Sequence, residues 1–359
     1  MTINTFKKMS RFILLMLAIQ SCKEQSKKNM SIASKNELYA NEVIPFFDHW
    51  NLILGDGSNA GIATKFSQKD FFYTASDTKG DWVVFKAPNA GDTHGTSNNC
   101  RTELAQLKKW TADTPAKLSA RLKVMNVSAT GDARVAASYS VVVGQIHSAD
   151  KFENEPLKIF YKKFPGHEKG SVFWHYEINT AGDNNDLRWD YSTAVWGHDF
   201  SVVGPTENSY PNEPLDGITL GEEFEYVIEI KDGVMHLSFK SEGHETKTFT
   251  KNLIQSQYTA QTDIPEQTQK LFVPLGQNGT EKKLAYAGEG LFFKLGAYNQ
   301  TNGKSPEVNK NWCSAADTYQ GNVQKQYETG NYAEVWFKKA EITVSELSIS
   351  NEGYFIKND

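Results

Sequence analysis

The chain has 359 residues, a length that fits one large domain or two small ones. Its formal net charge is −5, with lysines and acids interleaved along the chain, so the composition describes a solvated surface and gives no sign of a nucleic-acid partner. Aromatic residues make up 12%, which suits a β-sandwich core and equally a sugar-binding groove, the core being the simpler account of most of them.

The first segment in chain order is an address. Lys7, Lys8 and Arg11 precede a short apolar run, Phe12 to Ile19, too short to span a bilayer as a mature helix. It ends at Ile19-Gln20-Ser21-Cys22, which resembles a bacterial lipobox, although Gln20 is an imperfect fit before the small residue. Residues 1–22 are therefore expected to be a lipoprotein signal peptide, with Cys22 the lipidated residue. Residues 23–40, rich in Lys, Ser and Asn, read as a flexible tether, and 41–359 as one domain. The expected location is the bacterial cell envelope, lipid-anchored in the outer membrane and facing the periplasm or the surface, with plain secretion as the alternative. Cys100 and Cys313 then remain. An exported pair can bridge, but strand alternation turns Cys100 away from the face that carries Arg101, so the bridge stays open as a question.

Past the tether, one turn or short helix is expected around Pro45-Phe46-Phe47. Strand-like runs follow at Asp81–Lys86, Ala116–Val127, Val135–Ile146, Lys158–Lys162, Ser171–Ile178, Glu223–Lys231, Val234–Lys240, Gly290–Gln300 and Ala333–Ile349. Lys231-Asp232-Gly233-Val234 is a hairpin signal between two of them. This pattern predicts an all-β domain, a sandwich or jelly roll. Three long polar stretches, 179–220, 253–289 and 301–332, interrupt it. They carry aromatics, including Trp189, Tyr191, Trp312 and Tyr319, which suits functional loops better than disordered ones.

Three short segments within strand-like stretches carry the chemistry: Arg101-Thr102-Glu103-Leu104, Gln145-Ile146-His147 and Phe293-Lys294-Leu295-Gly296-Ala297-Tyr298-Asn299-Gln300. Residues i and i+2 share a strand face, so Arg101 pairs with Glu103, Gln145 with His147, and Lys294 lines up with Gly296, Tyr298 and Gln300. Side by side, they put a cation, an amide, a base and a phenol on one sheet face. Gly296 is expected to leave room for something to come close to the sheet.

These segments resemble the three motifs of polysaccharide lyase family 7, the alginate lyases: Arg-x-Glu-Leu, Gln-Ile-His or Gln-Val-His, and Tyr-Phe-Lys-Ala-Gly-x-Tyr-x-Gln, in this order. The resemblance covers most of the mature chain and the long loops least. It implies a jelly roll of two curved antiparallel sheets with substrate in the concave face. It implies catalytic roles for Arg101, Gln145, His147 and Tyr298, and places Glu103, Lys294 and Gln300 along the groove. Ala105, Phe292 and Leu295 depart from the family pattern without touching the catalytic four. The implied reaction is β-elimination on a uronate chain. The C5 proton leaves, the C4 oxygen is expelled, and a 4,5-unsaturated product results. Arg101 and Gln145 would neutralise the substrate carboxylate, His147 would be the base for guluronate, and Tyr298 the acid. Ile146 leans the reading towards guluronate. The long loops lean it towards action at chain ends, with Trp312 and Tyr319, or Trp189 and Tyr191, as a wall; an endolytic lyase of mixed specificity is the alternative. No cofactor and no metal are expected, and the protein reads as a monomer whose partner is alginate polymer or oligosaccharide.

Two rivals stand beside this reading. A glycoside hydrolase on the same sandwich needs two carboxylates roughly 5–10 Å apart. Glu223, Glu225 and Glu229 share a face but alternate with apolar residues, as a solvated strand does. A carbohydrate-binding lipoprotein would need neither the His nor the Tyr beside the Arg. Asp183-Asn184-Asn185-Asp186 has a calcium-loop flavour but lacks the Gly and distal Glu of an EF-hand, and reads as a polar turn.

Overall fold

The computed structural model describes residues 38–45, 47–91, 93, 97–149, 155–178, 189–254 and 286–344. The signal segment, Cys22, Asp183–Asp186 and most of 253–289 lie outside them. In chain order the strands are β1 (Trp50–Ile53), β2 (Asn59–Gly61), β3 (Phe72–Asp77), β4 (Gly80–Pro88), β5 (Arg101–Gln106), β6 (Ala116–Asn126), β7 (Ser140–Ser148) and β8 (Leu157–Lys162). There follow β9 (Lys169–Ile178), β10 (Trp189–Trp196), β11 (Ile218–Thr219), β12 (Glu223–Lys231), β13 (Val234–Ser241), β14 (Lys247–Asn252), β15 (Leu291–Asn299) and β16 (Tyr332–Val344). They build two antiparallel sheets. The first runs β10-β9-β8-β7-β15-β5-β1-β2, with β11 on β9, and the second β14-β13-β12-β6-β16-β4-β3. β15 enters between β7 and β5, and β16 between β6 and β4, so the last strands of the chain complete both sheets. This is the all-β sandwich that the sequence pattern predicts.

Alternation explains the core. Phe224, Tyr226, Ile228 and Ile230 of β12 point between the sheets, where they meet Leu104, Val143, Ile146, Phe293 and Leu295 from the first sheet. Glu223, Glu225 and Glu229 therefore face outwards from the second sheet. Arg121 and Lys79 bind Glu223 there, at 2.5 and 3.1 Å, and Arg121 also reaches Glu225 at 3.5 Å. The β12–β13 turn is as expected: Asp232 and Gly233 both have positive φ, 52° and 77°, which the tight hairpin requires.

Some expectations change. The run from Val135 begins as strand only at Ser140, because Asp132 and Val135 carbonyls accept turn hydrogen bonds from Val135 and Ser138, and Tyr139 has φ 63°. The polar stretch 179–220 contains β10 and β11, and 301–332 contains a short helix, α1 (Val323–Glu328), capped by the Asn322 side chain. A 3-10 turn stands at Phe47–His49. Cys100 and Cys313 are both buried and unbridged, and Cys100 points into the core.

Two irregularities shape the site face. β7 carries an extra residue against β8 between Val142 and Gly144, and β15 carries one against β7 between Leu295 and Tyr298. Val143 and Gly144 both turn to the core, where a Cβ on Gly144 would lie 2.4 Å from the Tyr226 hydroxyl. Val142 and Gln145 consequently face the same way although three residues apart. Gly296 has φ 147°, and a Cβ there would lie 2.4 Å from the Thr102 carbonyl oxygen. The close approach that this glycine permits is that of β5, not of a ligand, which corrects the sequence expectation.

Candidate active site

The outer face of the first sheet gathers the three motifs. β15 is the shared neighbour: Tyr298 stands opposite Arg101 of β5, while Lys294 stands opposite Gln145 and Phe292 opposite His147 of β7. Tyr298 and Arg101 thus lie towards one end of the face, Lys294 and Gln145 in the middle, and His147 towards the other end.

Glu103 is the hub. Its side chain is 1% exposed, and its Oε2 lies 2.6 Å from Lys294 Nζ and 3.6 Å from Arg101 Nη1. Its Oε1 accepts a short hydrogen bond from the Gln145 amide. A carboxylate only accepts, so this contact fixes which way the Gln145 amide points and leaves its carbonyl oxygen buried with no hydrogen-bond partner among the described residues. Arg101 and Lys294, 12% and 9% exposed, are held side by side by this one carboxylate. Burial pushes the Lys294 ammonium below the usual lysine range, and Glu103 opposes that shift.

His147 is a neutral imidazole. Its Nδ1 lies 2.6 Å from the Ser148 carbonyl oxygen, an acceptor, so Nδ1 carries the proton and Nε2 the lone pair. Burial lowers its pKa to about 4, with Lys294 and Arg101 adding to the fall and Glu155 opposing it. Tyr298 is clamped differently. The Arg101 guanidinium stacks on its ring, 3.8 Å from the centroid, and Ser97 Oγ lies 3.1 Å from its hydroxyl. Gln300 is 3% exposed and donates its amide to the Tyr298 carbonyl at 3.3 Å, so it braces the strand end.

The face beyond β7 is not open. Phe160, Phe173, His175 and Glu177 of β8 and β9 have no exposed surface, and Lys158 has 6%. Phe200 and Trp312 pack over the Phe160, Phe173 and His175 rings, their own rings 4.9 Å apart, and Trp312 sits 6.4 Å from the His175 ring. Lys162 ties the cover down by donating to the Ala136 and Val202 carbonyls at 2.8 and 3.2 Å; its burial lowers its pKa to about 7. Asn302 Nδ2 holds the Trp312 carbonyl at 2.7 Å, just beyond the strand that carries Tyr298. Of the wall candidates, Trp312 is in place. Tyr319 is exposed, Tyr191 packs against the core, and the Trp189 side chain lies outside the described residues.

The family model described as alginate lyase matches residues 44–344. The chain belongs to the alginate lyase family. The crystal structure of an exolytic family 7 alginate lyase, AlyA5 from Zobellia galactanivorans, is 59% identical, with a TM-score of 0.79 over 86% of this chain and 98% of that one. An alginate lyase of Klebsiella pneumoniae is 25% identical over 297 residues, 72% of this chain and 83% of its own. The crystal structure of an alginate lyase from that organism has a TM-score of 0.57 at 21% identity, covering 84% and 97% of the two chains, and shares the fold. The lyase thus has the polysaccharide lyase family 7 jelly roll. Sequence reasoning passed over Ser97, Glu155, Lys158, Glu177 and Phe200. Lys158, Phe160 and Lys162 alternate with Leu157, Ile159 and Tyr161, which signals a shared face, but no spacing reveals that loops bury this face.

Proposed function

We propose that this alginate lyase works from chain ends and leans towards guluronate. The observation that carries end action is the covered face: Phe160, Phe173 and His175 of β8 and β9 lie under Phe200 and Trp312, so the groove stops beside Tyr298 and Gln145. The exolytic character of the 59% identical Zobellia enzyme supports the same reading.

The residues suit β-elimination. The C5 proton is weakly acidic while the neighbouring carboxylate is charged, so cationic and amide groups must take up that charge as the enolate-like intermediate forms. Lys294 and Gln145 occupy the middle of the face and Arg101 the end beside Tyr298, all three already oriented by Glu103. For guluronate the C5 proton and the leaving oxygen lie on opposite sides of the ring. His147 and Tyr298, on opposite sides of the Lys294–Gln145 pair, fit that demand as base and acid. For mannuronate both lie on one side, and Tyr298 serves both steps. The neutralising cations belong to the protein, so the reaction is expected to run without a metal.

End action predicts small products from the start and a slow fall in the viscosity of polymeric alginate. Trp312→Ala opens the blocked end and should speed the viscosity fall relative to product release. A parent enzyme that drops viscosity rapidly with few small products overturns the reading.

We also propose that Cys22 carries a lipid anchor that holds a monomeric enzyme to the bacterial outer membrane; the basic and apolar segments before it support this. Cys22→Ser should release the protein from the membrane fraction or leave its precursor uncleaved. A variant still membrane-bound at its processed size refutes that attachment.

A further inference from the structure

Glu155 lies outside the three motifs, just before β8, and its carboxylate reaches the base. Its Oε1 is 3.5 Å from His147 Nε2 and its Oε2 is 3.6 Å from Lys158 Nζ. The side chain is 14% exposed. Glu177, with no exposed side-chain surface, holds Lys158 at 2.9 Å and accepts from the Glu155 backbone N–H at 3.5 Å, so both neighbours are referred to one buried anchor. Oε1 and the Nε2 lone pair are both acceptors, so they form no hydrogen bond while the imidazole is neutral, yet at 3.5 Å the carboxylate is close enough for strong Coulomb attraction to an imidazolium. Lys294 from β15 and Arg101 from β5, both held by Glu103, are repulsive to that cation, and Lys158 shares the Glu155 carboxylate. Lys109 adds a further positive charge beyond Phe292, 5.8 Å from that ring, whose centroid is 5.2 Å from the imidazole.

We propose that Glu155 is a positioning residue for guluronate cleavage: it steadies the imidazolium that His147 becomes on taking the C5 proton. The inference rests on His147 being the guluronate base. In the step, the C5–H bond breaks and its proton goes to Nε2, while the electron pair moves into the enolate-like carboxylate. That pair then forms the C4–C5 double bond as the C4–O bond breaks, and Tyr298 gives its proton to the leaving oxygen. His147 returns its proton to water and Tyr298 regains one, so the protein ends unchanged. Arg101 and Lys294 favour the enolate but oppose the imidazolium, and Glu155 offsets that conflict from the side away from β15. On mannuronate, where Tyr298 handles both proton transfers, His147 stays neutral and Glu155 has nothing to steady.

The test uses the full-length enzyme on purified guluronate and mannuronate blocks. Glu155→Gln should lower kcat on guluronate roughly tenfold or more, part of the span typical of a base. KM and the mannuronate kcat should stay within about twofold. The acid limb of the guluronate kcat/KM profile should move to lower pH, since loss of a neighbouring negative charge depresses the His147 pKa further. Glu155→Asp should restore part of the guluronate rate, which also answers a fold defect in the Gln variant. Equal losses on the two blocks, or a raised KM with kcat unchanged, overturn the proposal. His147→Ala separates the two levels. An epimer-selective loss there, with none in Glu155→Gln, sinks the role of Glu155 alone; equal losses there remove the base assignment, and the proposal with it.

Discussion

Tyr298→Phe should cut turnover on mannuronate and guluronate blocks alike, by about 10²–10⁴-fold, the usual contribution of a general acid–base group. In the proposed mechanism the phenol is the acid for both epimers, so neither substrate escapes. The ring itself should stay where it is. Arg101 stacks on its face at 3.8 Å, and it packs against the cluster of Val142, Phe160 and Phe173, contacts that phenylalanine keeps. The lost interaction is the 3.1 Å contact with Ser97 Oγ, at the edge of the site. Oligosaccharide affinity should therefore change little while product formation, followed by the ultraviolet absorbance of the new double bond, nearly stops. A Phe variant within about threefold of the parent rate would take Tyr298 out of the mechanism.

The second large effect is on stability. Glu103→Gln leaves Arg101 and Lys294 next to each other with no carboxylate between them. Removing one partner of a buried ion pair costs about 3–5 kcal/mol, because the remaining charge stays buried and uncompensated. Lys294 can relieve part of this by losing its proton. Its folded-state pKa, already lowered by burial, falls further below that of the unfolded chain. The unfolded state then binds more protons, so stability of the variant should recover as pH rises from neutral towards the ordinary lysine range, a recovery that the parent shows only weakly. Alginate oligosaccharide, whose carboxylates replace the missing charge, should raise the melting temperature of the variant more than that of the parent. Urea unfolding at several pH values checks both statements. A variant as stable as the parent at neutral pH would mean that Glu103 is not the counter-ion on which the two cations depend.

Strand identity and the three motif segments are local properties, legible along the chain, and the run of alternating strands with few helix signals points to an all-β sandwich. Period-two alternation marks which residues share a face, so Arg101 with Glu103 and Gln145 with His147 could be paired without any structure. The Asp232-Gly233 turn is equally local, since two positive φ values restrict the residue choice. β10 escaped notice because Ser192 and Thr193 make its alternation weak in a segment otherwise rich in polar residues. The rest depends on which strands become neighbours. Insertion of β15 between β7 and β5 puts Lys294 and Gln145 against Glu103, converting a residue that reads as groove lining into a buried counter-ion. The bulges at Val143 and at Gly296-Ala297 shift the alternation, and Gly296 serves the contact with β5 rather than a ligand. The wall is decided later still. Trp312 and Phe200 are 112 residues apart in the chain and meet only over Phe160, Phe173 and His175. Glu155 likewise acquires its place beside His147 from the pairing of β7 with β8 and the buried charge of Glu177. Periodicity reports the face of a strand; burial and charge pairing on that face are collective results of the strands and loops that close over it.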